Sequence, residues 1–196
     1  LDIKKTTFIG YQNLKCESSI VHMLVDSKST NEIKEGEEAE LILDDTPFYG
    51  EMGGQAGDTG EIRSSSGRFL VTSAIRLTPG IIVHQGQVID GSLVACDEVE
   101  AEVDEERRLD IARNHTATHL LQAALREVLG EHIQQRGSLV APERFRFDFS
   151  HLAAMKKEEI EKVSRIVNQK IRQNLVVYAE EVPYQQAIDE GAIALF

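Results

Sequence analysis

Short apolar runs separated by turn residues dominate the first hundred positions. Residues 20–25 (IVHMLV), 39–43 (AELIL), 68–72 (RFLVT) and 81–88 (IIVHQGQV) are rich in branched side chains and bounded by Gly, Asp, Asn or Ser. Such spacing predicts short strands closing a small barrel or sandwich. His22 and His84 fall inside these strands and read as structural, since neither has a partner at ligand spacing. Near 105–108 (EERR) the period changes from two to about 3.6 residues, which marks a domain boundary. Leu120, Leu121, Ala124, Leu125 and Val128 then recur at helical spacing, and Gly130 sits where a helix would end. Residues 144–151 (RFRFDFSH) alternate strictly, with Phe145, Phe147 and Phe149 on one face of a half-buried strand preceded by 137–140 (GSLV). A second helix is expected over 156–174, with Ile160, Val163, Ile166, Val167 and Ile171 on its core stripe. Residues 175–182 (LVVYAEEV) read as a strand, and Pro183 opens a short helix that Gly191 can end. The pattern predicts an α+β chain. A small N-terminal β-barrel over 1–104 leads into a two-layer α/β domain over 105–196, with helices on one face of an antiparallel sheet.

The strand rhythm is broken once, at 44–60 (DDTPFYGEMGGQAGDTG), where five glycines and a proline make a turn-dominated loop. On these residues alone it reads as a connector between strands. Its paired glycines, lacking Cβ atoms, also allow a backbone to approach a ligand closely. No Gly-Lys-Ser/Thr follows, so it is not a phosphate-cradling P-loop.

Charge narrows the picture further. The net charge is −12 over 196 residues, which argues against gripping nucleic acid by bulk electrostatics. Residues 1–104 hold 8 basic and 19 acidic side chains, or −11; the remainder hold 13 and 14, or −1. Only the second part can present a basic face, so nucleic acid is permitted without being indicated. No apolar run reaches the ~18–20 residues of a membrane span. Cys16 and Cys96 lack CxxC spacing, which fits a reducing, cytoplasmic setting better than a disulfide framework. Leu1 in place of Met and the apolar finish at 192–196 give the expectation that both ends were cut from a longer chain.

The candidate chemistry lies on the first helix. His115 and His119 are four apart, so they aim two imidazoles at one place, as half of a zinc site would. Two ligands do not close a tetrahedral site, so the pair alone does not establish a metal. Thr116 stands where a zincin protease carries its glutamate base, which counts against peptide hydrolysis. The other polar groups, Thr116, Thr118, Gln134 and Gln135, are hydroxyls and amides that read hydrogen-bonding ligands well and abstract protons poorly.

The run RNHTATHLLQAALREVLGEHIQQRGSLV over 113–140, followed by RFRFDFSH and GAIALF, closely resembles the editing region of alanyl-tRNA synthetases. The upstream DDTPFYGEMGGQAGDTG resembles the glycine-rich segment of the same enzymes, and the likeness covers nearly the whole chain in order. Free-standing alanyl-tRNA editing proteins share the pattern, but the long segment before GAIALF is more like a synthetase fragment. The resemblance implies hydrolysis of seryl or glycyl esters wrongly attached to tRNA(Ala), at a zinc-containing site. It implies His115 and His119 as zinc ligands, and Thr118 as the hydroxyl that helps tell serine from alanine. Gln135 would line the amino-acid pocket, and Gly53, Gly54 and Gln55 would help present the charged tRNA end. Arg113 and Arg136, with Arg126 and Arg144, are expected nearer the nucleic acid, and the acidic first part faces away. ATP and Mg would serve an aminoacylation domain outside these residues.

One departure from the family pattern matters. The other two zinc ligands of such enzymes come from a Cys-Gly-Gly-Thr-His segment downstream of ALF, and this sequence ends at Phe196. Neither Cys16 nor Cys96 has a histidine four residues on, so half of a zinc site is expected here. The competing readings are a tRNA-binding module without catalysis, a free-standing deacylase and, much less favoured, a metal-dependent peptidase.

Overall fold

In the computed structural model, residues 5–78, 80–178 and 180–192 are described. Among them the strands run in order as β1 (Thr7–Phe8), β2 (Lys15–Val25), β3 (Lys28–Ser29), β4 (Glu32–Lys34), β5 (Glu38–Leu43) and β6 (Asp45–Thr46). They continue as β7 (Gly60–Arg63), β8 (Gly67–Thr78), β9 (Ile81–Val94) and β10 (Glu98–Val103). Helix α1 (Glu105–Leu129) follows, then β11 (Gln135–Val140), β12 (Phe145–Phe149), α2 (Lys157–Gln173) and α3 (Tyr184–Asp189). The chain divides into two compact units. One comprises the residues up to His115 together with Ser138–Phe145, and the other Thr116–Gly137 with the residues from Arg146 on.

The first unit contains a closed antiparallel barrel of six strands in the order β10-β7-β8-β9-β5-β2. Closure comes from β10, whose Ala101 lies opposite Ile62 of β7 on one side and Cys16 of β2 on the other. That strand, EVEAEV, turns Val99, Ala101 and Val103 into the core and its glutamates toward the outside. Lys15 on the neighbouring strand meets Glu100 at 2.7 Å. Alternation therefore overrides the weak strand preference of glutamate. Phe69, Val71, Ile20, Met23, Leu41, Leu43 and Phe48 fill the interior. The expected runs at 68–72 and 81–88 are the first parts of longer strands, because β8 and β9 pair along nearly their whole length.

In the second unit, Ala124 and Leu125 of α1, Ile133 and Val163 of α2 form a small core, edged by Phe147 and Phe149 of β12. Asp104 caps α1 by accepting the Arg107 N–H at 3.0 Å. Glu159 accepts the Lys156 N–H at 2.7 Å at the start of α2, and Asn174 closes that helix in the left-handed region.

Two expectations are corrected here. Ile160 and Ile171 do not lie in the core: both are more than half exposed, and only the middle of the stripe, Val163 with Ile166 and Val167, meets Ala124, Leu125 and Ile133. Nor is there a strand at 175–182 among the described residues. Leu175, Val176, Val177 and Tyr178 are exposed instead. Strand-forming composition yields a strand only where a neighbouring edge supplies hydrogen bonds, and this segment pairs with none of the strands described. Of the GAIALF run, 193–196 lie outside the described residues.

Candidate functional site

The glycine-rich segment after β6 is a loop with fixed attachments, each traceable to a residue. Thr46 accepts the Phe48 N–H at 3.1 Å and donates its own hydroxyl proton to His84 Nε2 at 2.7 Å. The other ring nitrogen of His84, Nδ1, donates to the Leu41 carbonyl at 3.0 Å. Burial holds the His84 pKa down at about 4, against the smaller opposing effect of that backbone bond, so the ring is a neutral strut. This agrees with the structural role expected of it.

Further along, Met52 and Gln55 close a tight turn through Gln55 N–H to Met52 C=O at 3.0 Å and the reverse bond at 3.3 Å. Gly53 and Gly54 are its central residues, at φ 61° and 83°. Positive φ at both centres is the type I′ requirement that makes Gly-Gly favourable here. A Cβ on Gly54 would sit 2.3 Å from the Ser138 carbonyl oxygen. The close approach that paired glycines permit is thus made to β11 of the same chain. Val140 N–H donates to Gly54 C=O at 2.8 Å and Ala56 N–H to Val140 C=O at 2.9 Å, so the loop adds a short parallel rung to that strand.

The start of α1 clamps the far end of the loop. Arg107 donates to the Gly57 carbonyl at 2.7 Å. Arg108 meets both Asp58 oxygens through Nε at 2.9 and 3.1 Å and again through Nη2. It also donates to the Gly10 and Pro47 carbonyls at 2.8 Å each. Asp58 is buried and accepts the Tyr49 N–H at 2.6 Å as well. Sequence reasoning missed this clamp; the acid in GQAGDTG and the arginine pair opening the helix were its only signal.

Held in this way, the loop delivers Gln55 to the histidine helix: Gln55 Oε1 lies 2.6 Å from His115 Nδ1. His115 is exposed on α1, and so is His119, four residues further along the same helix. Thr118 is buried, at 6 % exposure, rather than open to solvent. Gln135 and Arg136 open β11, and Arg113 is exposed and paired with Asp110 at 2.6 Å. Arg126 is paired with Glu131, and Asn114 binds the Ala141 and Pro142 carbonyls at 2.8 and 2.9 Å. His132 and His151 stack with Nε2 and Nδ1 3.1 Å apart. The two cysteines are free; burial raises Cys16 to about 11, which leaves it a poor nucleophile. Among the described residues, no group of three or more His, Cys, Asp or Glu side chains is placed to hold a metal. No helix described is long and apolar enough to cross a membrane.

Residues 2–107 match the family described as tRNA synthetases class II (A). The chain is 56 % identical over 193 residues to the alanine–tRNA ligase of Dehalococcoides mccartyi, a match covering 98 % of this chain and 22 % of that protein. It is 46 % identical to the alanine–tRNA ligase of Chloroflexus aurantiacus over 196 residues, again 22 % of the relative, and 46 % identical over 193 residues to that of Burkholderia lata. The chain thus spans about a fifth of the length of these relatives.

Proposed function

The chain belongs to the family of class II tRNA synthetases (A), and from that premise we propose that it is the editing region of an alanine–tRNA ligase, releasing wrongly attached serine or glycine from the 3′ end of tRNA(Ala). A pocket for alanine cannot strongly reject an isostere that adds one hydroxyl, with discrimination of only ~10²-fold, so a second site that hydrolyses the wrong ester has a clear physical use. Charging of tRNA with alanine, with its ATP and Mg, falls in this reading to parts of the ligase beyond these residues.

The observation that carries the proposal is the pairing of His115 with Gln55. The glycine-rich loop and the histidine helix, two motifs sixty residues apart, meet through a 2.6 Å hydrogen bond. An imidazole whose Nδ1 is bonded to a side-chain oxygen is the usual state of a metal-binding histidine. His115 and His119, both exposed and four residues apart on α1, would hold zinc as two of its ligands; among the described residues no group of three or more such side chains is placed to complete the set. Bound there, zinc would supply Lewis-acid polarisation and an anchor for the ester. In this reading the chain's own groups bind and orient the substrate: Gln135 and Arg136, which open β11, and Arg113 on α1. Exposed ion pairs such as Arg113–Asp110 are weak enough to be given up to a phosphate.

A binding module without turnover is the second reading, favoured by the burial of Thr118, whose hydroxyl is expected to read serine. The deciding experiment replaces His115 and His119 together by Ala in the full-length ligase and measures deacylation of seryl-tRNA(Ala). The expected loss exceeds the ~10–100-fold typical of substitutions behind the ligands, with charging retained. Unchanged deacylation refutes the proposal. Binding of tRNA by this chain without turnover, zinc supplied, supports the binding module.

A further inference from the structure

Gln55 has a side chain that could face a ligand, yet its amide oxygen is spent on His115. The backbone around it leaves it little choice. Gln55 sits in a type I′ turn, its neighbours Gly54 and Ala56 are bonded to Val140, and Gly57 and Asp58 are clamped by Arg107 and Arg108. The cost of ordering the backbone that carries this side chain has therefore been met by the loop before any ligand arrives. As an amide oxygen can only accept, the 2.6 Å contact puts the His115 proton on Nδ1. The electron pair of the neutral ring then lies on Nε2.

We propose that Gln55 is a positioning residue that fixes the tautomer and ring orientation of His115, so that Nε2 is the donor nitrogen. The glycine-rich segment on this account acts on the helix and not on the tRNA end. The functional consequence rests on the reading of His115 as a metal ligand; the tautomer assignment does not. Without an acceptor at Nδ1, a neutral imidazole favours the proton on Nε2, which would have to be removed or moved before that nitrogen could bind a cation.

The test is a long-range proton–nitrogen NMR correlation of the histidine rings in this 196-residue chain, about two pH units above the ordinary histidine pKa of ~6.5. The His115 signals are assigned by their loss in His115→Asn. The expected result is a protonated Nδ1 and unprotonated Nε2 in the unaltered chain. That pattern persists in Gln55→Glu, which keeps an acceptor, and reverses in Gln55→Leu. Gln55→Asn, too short to reach, reverses it as well and serves if the leucine variant does not fold. A protonated Nε2 in the unaltered chain, or an unchanged tautomer in both Gln55→Leu and Gln55→Asn, overturns the inference. In the full-length ligase, Gln55→Leu lowers zinc affinity by about 10–100-fold while Gln55→Glu does not. A reversed tautomer in a ligase that holds no zinc through His115 would leave the positioning role intact and remove the metal reading.

Discussion

Removing the Asp58 carboxylate is the perturbation that best separates a clamped loop from a passive connector. In Asp58→Ala the buried acid, 1 % exposed, loses its contacts with Arg108 Nε and Nη2 and with the Tyr49 N–H. Stripping one partner from a buried ion pair costs ~3–5 kcal/mol, chiefly because the other charge is stranded. Arg108 is not wholly stranded: its side chain is 17 % exposed and keeps the Gly10 and Pro47 carbonyls, which places the cost at the lower end. The orphaned Tyr49 N–H adds ~1–3 kcal/mol. A total of about 4 kcal/mol is expected, a large share of the ~5–15 kcal/mol that holds such a domain folded. Urea unfolding followed by far-UV circular dichroism reads this as a lower midpoint, with amide exchange at Tyr49 reporting the loop itself. Replacing both partners, Asp58→Leu with Arg108→Met, recovers little of the loss, because two backbone carbonyls then lose their donors. A cost below about 1 kcal/mol for Asp58→Ala would refute the clamp.

Two further predictions concern the same loop. His84 has a pKa of about 4 when folded against 6.5 unperturbed, so on acidification the unfolded chain takes up the proton first. The contribution of this residue is complete above pH 6.5, is lost as the pH falls from 6.5 toward 4, and is level below that. At ~1.4 kcal/mol per pKa unit the loss is about 3 kcal/mol, and urea midpoints across that window should fall less steeply in His84→Gln. The two turn glycines should respond differently. Gly53→Ala meets nothing within 4 Å and costs only the ~1–2 kcal/mol of a left-handed backbone. Gly54→Ala also drives a Cβ into the Ser138 carbonyl, so it should cost more and deprotect the Val140 and Ala56 amides. Equal exchange at those amides in the two variants would contradict the docking described.

How much of this was legible beforehand depends on whether a feature is local. Four of the six barrel strands (β2, β5, β8 and β9), α1 and the span of α2 follow from periodicity and caps, which act within a few residues. The strand β10 escaped notice because half its residues are glutamate, although every second one, Val99, Ala101 and Val103, is a core residue. The opposite error occurred at 175–182, where composition favoured a strand for which the described residues offer no edge. The histidine pair could be found from its spacing. Its connection to Gln55 could not, since a hydrogen bond across sixty positions leaves no periodic trace.

This distinction changes what the acidic barrel contributes. With a charge of −11 over residues 1–104, that part of the chain is a poor surface for a phosphate backbone, and under the function proposed above its contribution must lie elsewhere. The contacts point to mechanical support. His84 and Thr46 fix where the loop leaves β6, and Glu51 N–H is bonded to Ala74 C=O of β8 at 2.8 Å. Arg107 and Arg108 fix where the loop returns, and what projects between these anchors is one turn carrying one amide side chain. Such a strut must hold its geometry to a few tenths of an ångström to keep a 2.6 Å bond. A closed barrel, with no free edge to fray, is a suitable mount for it.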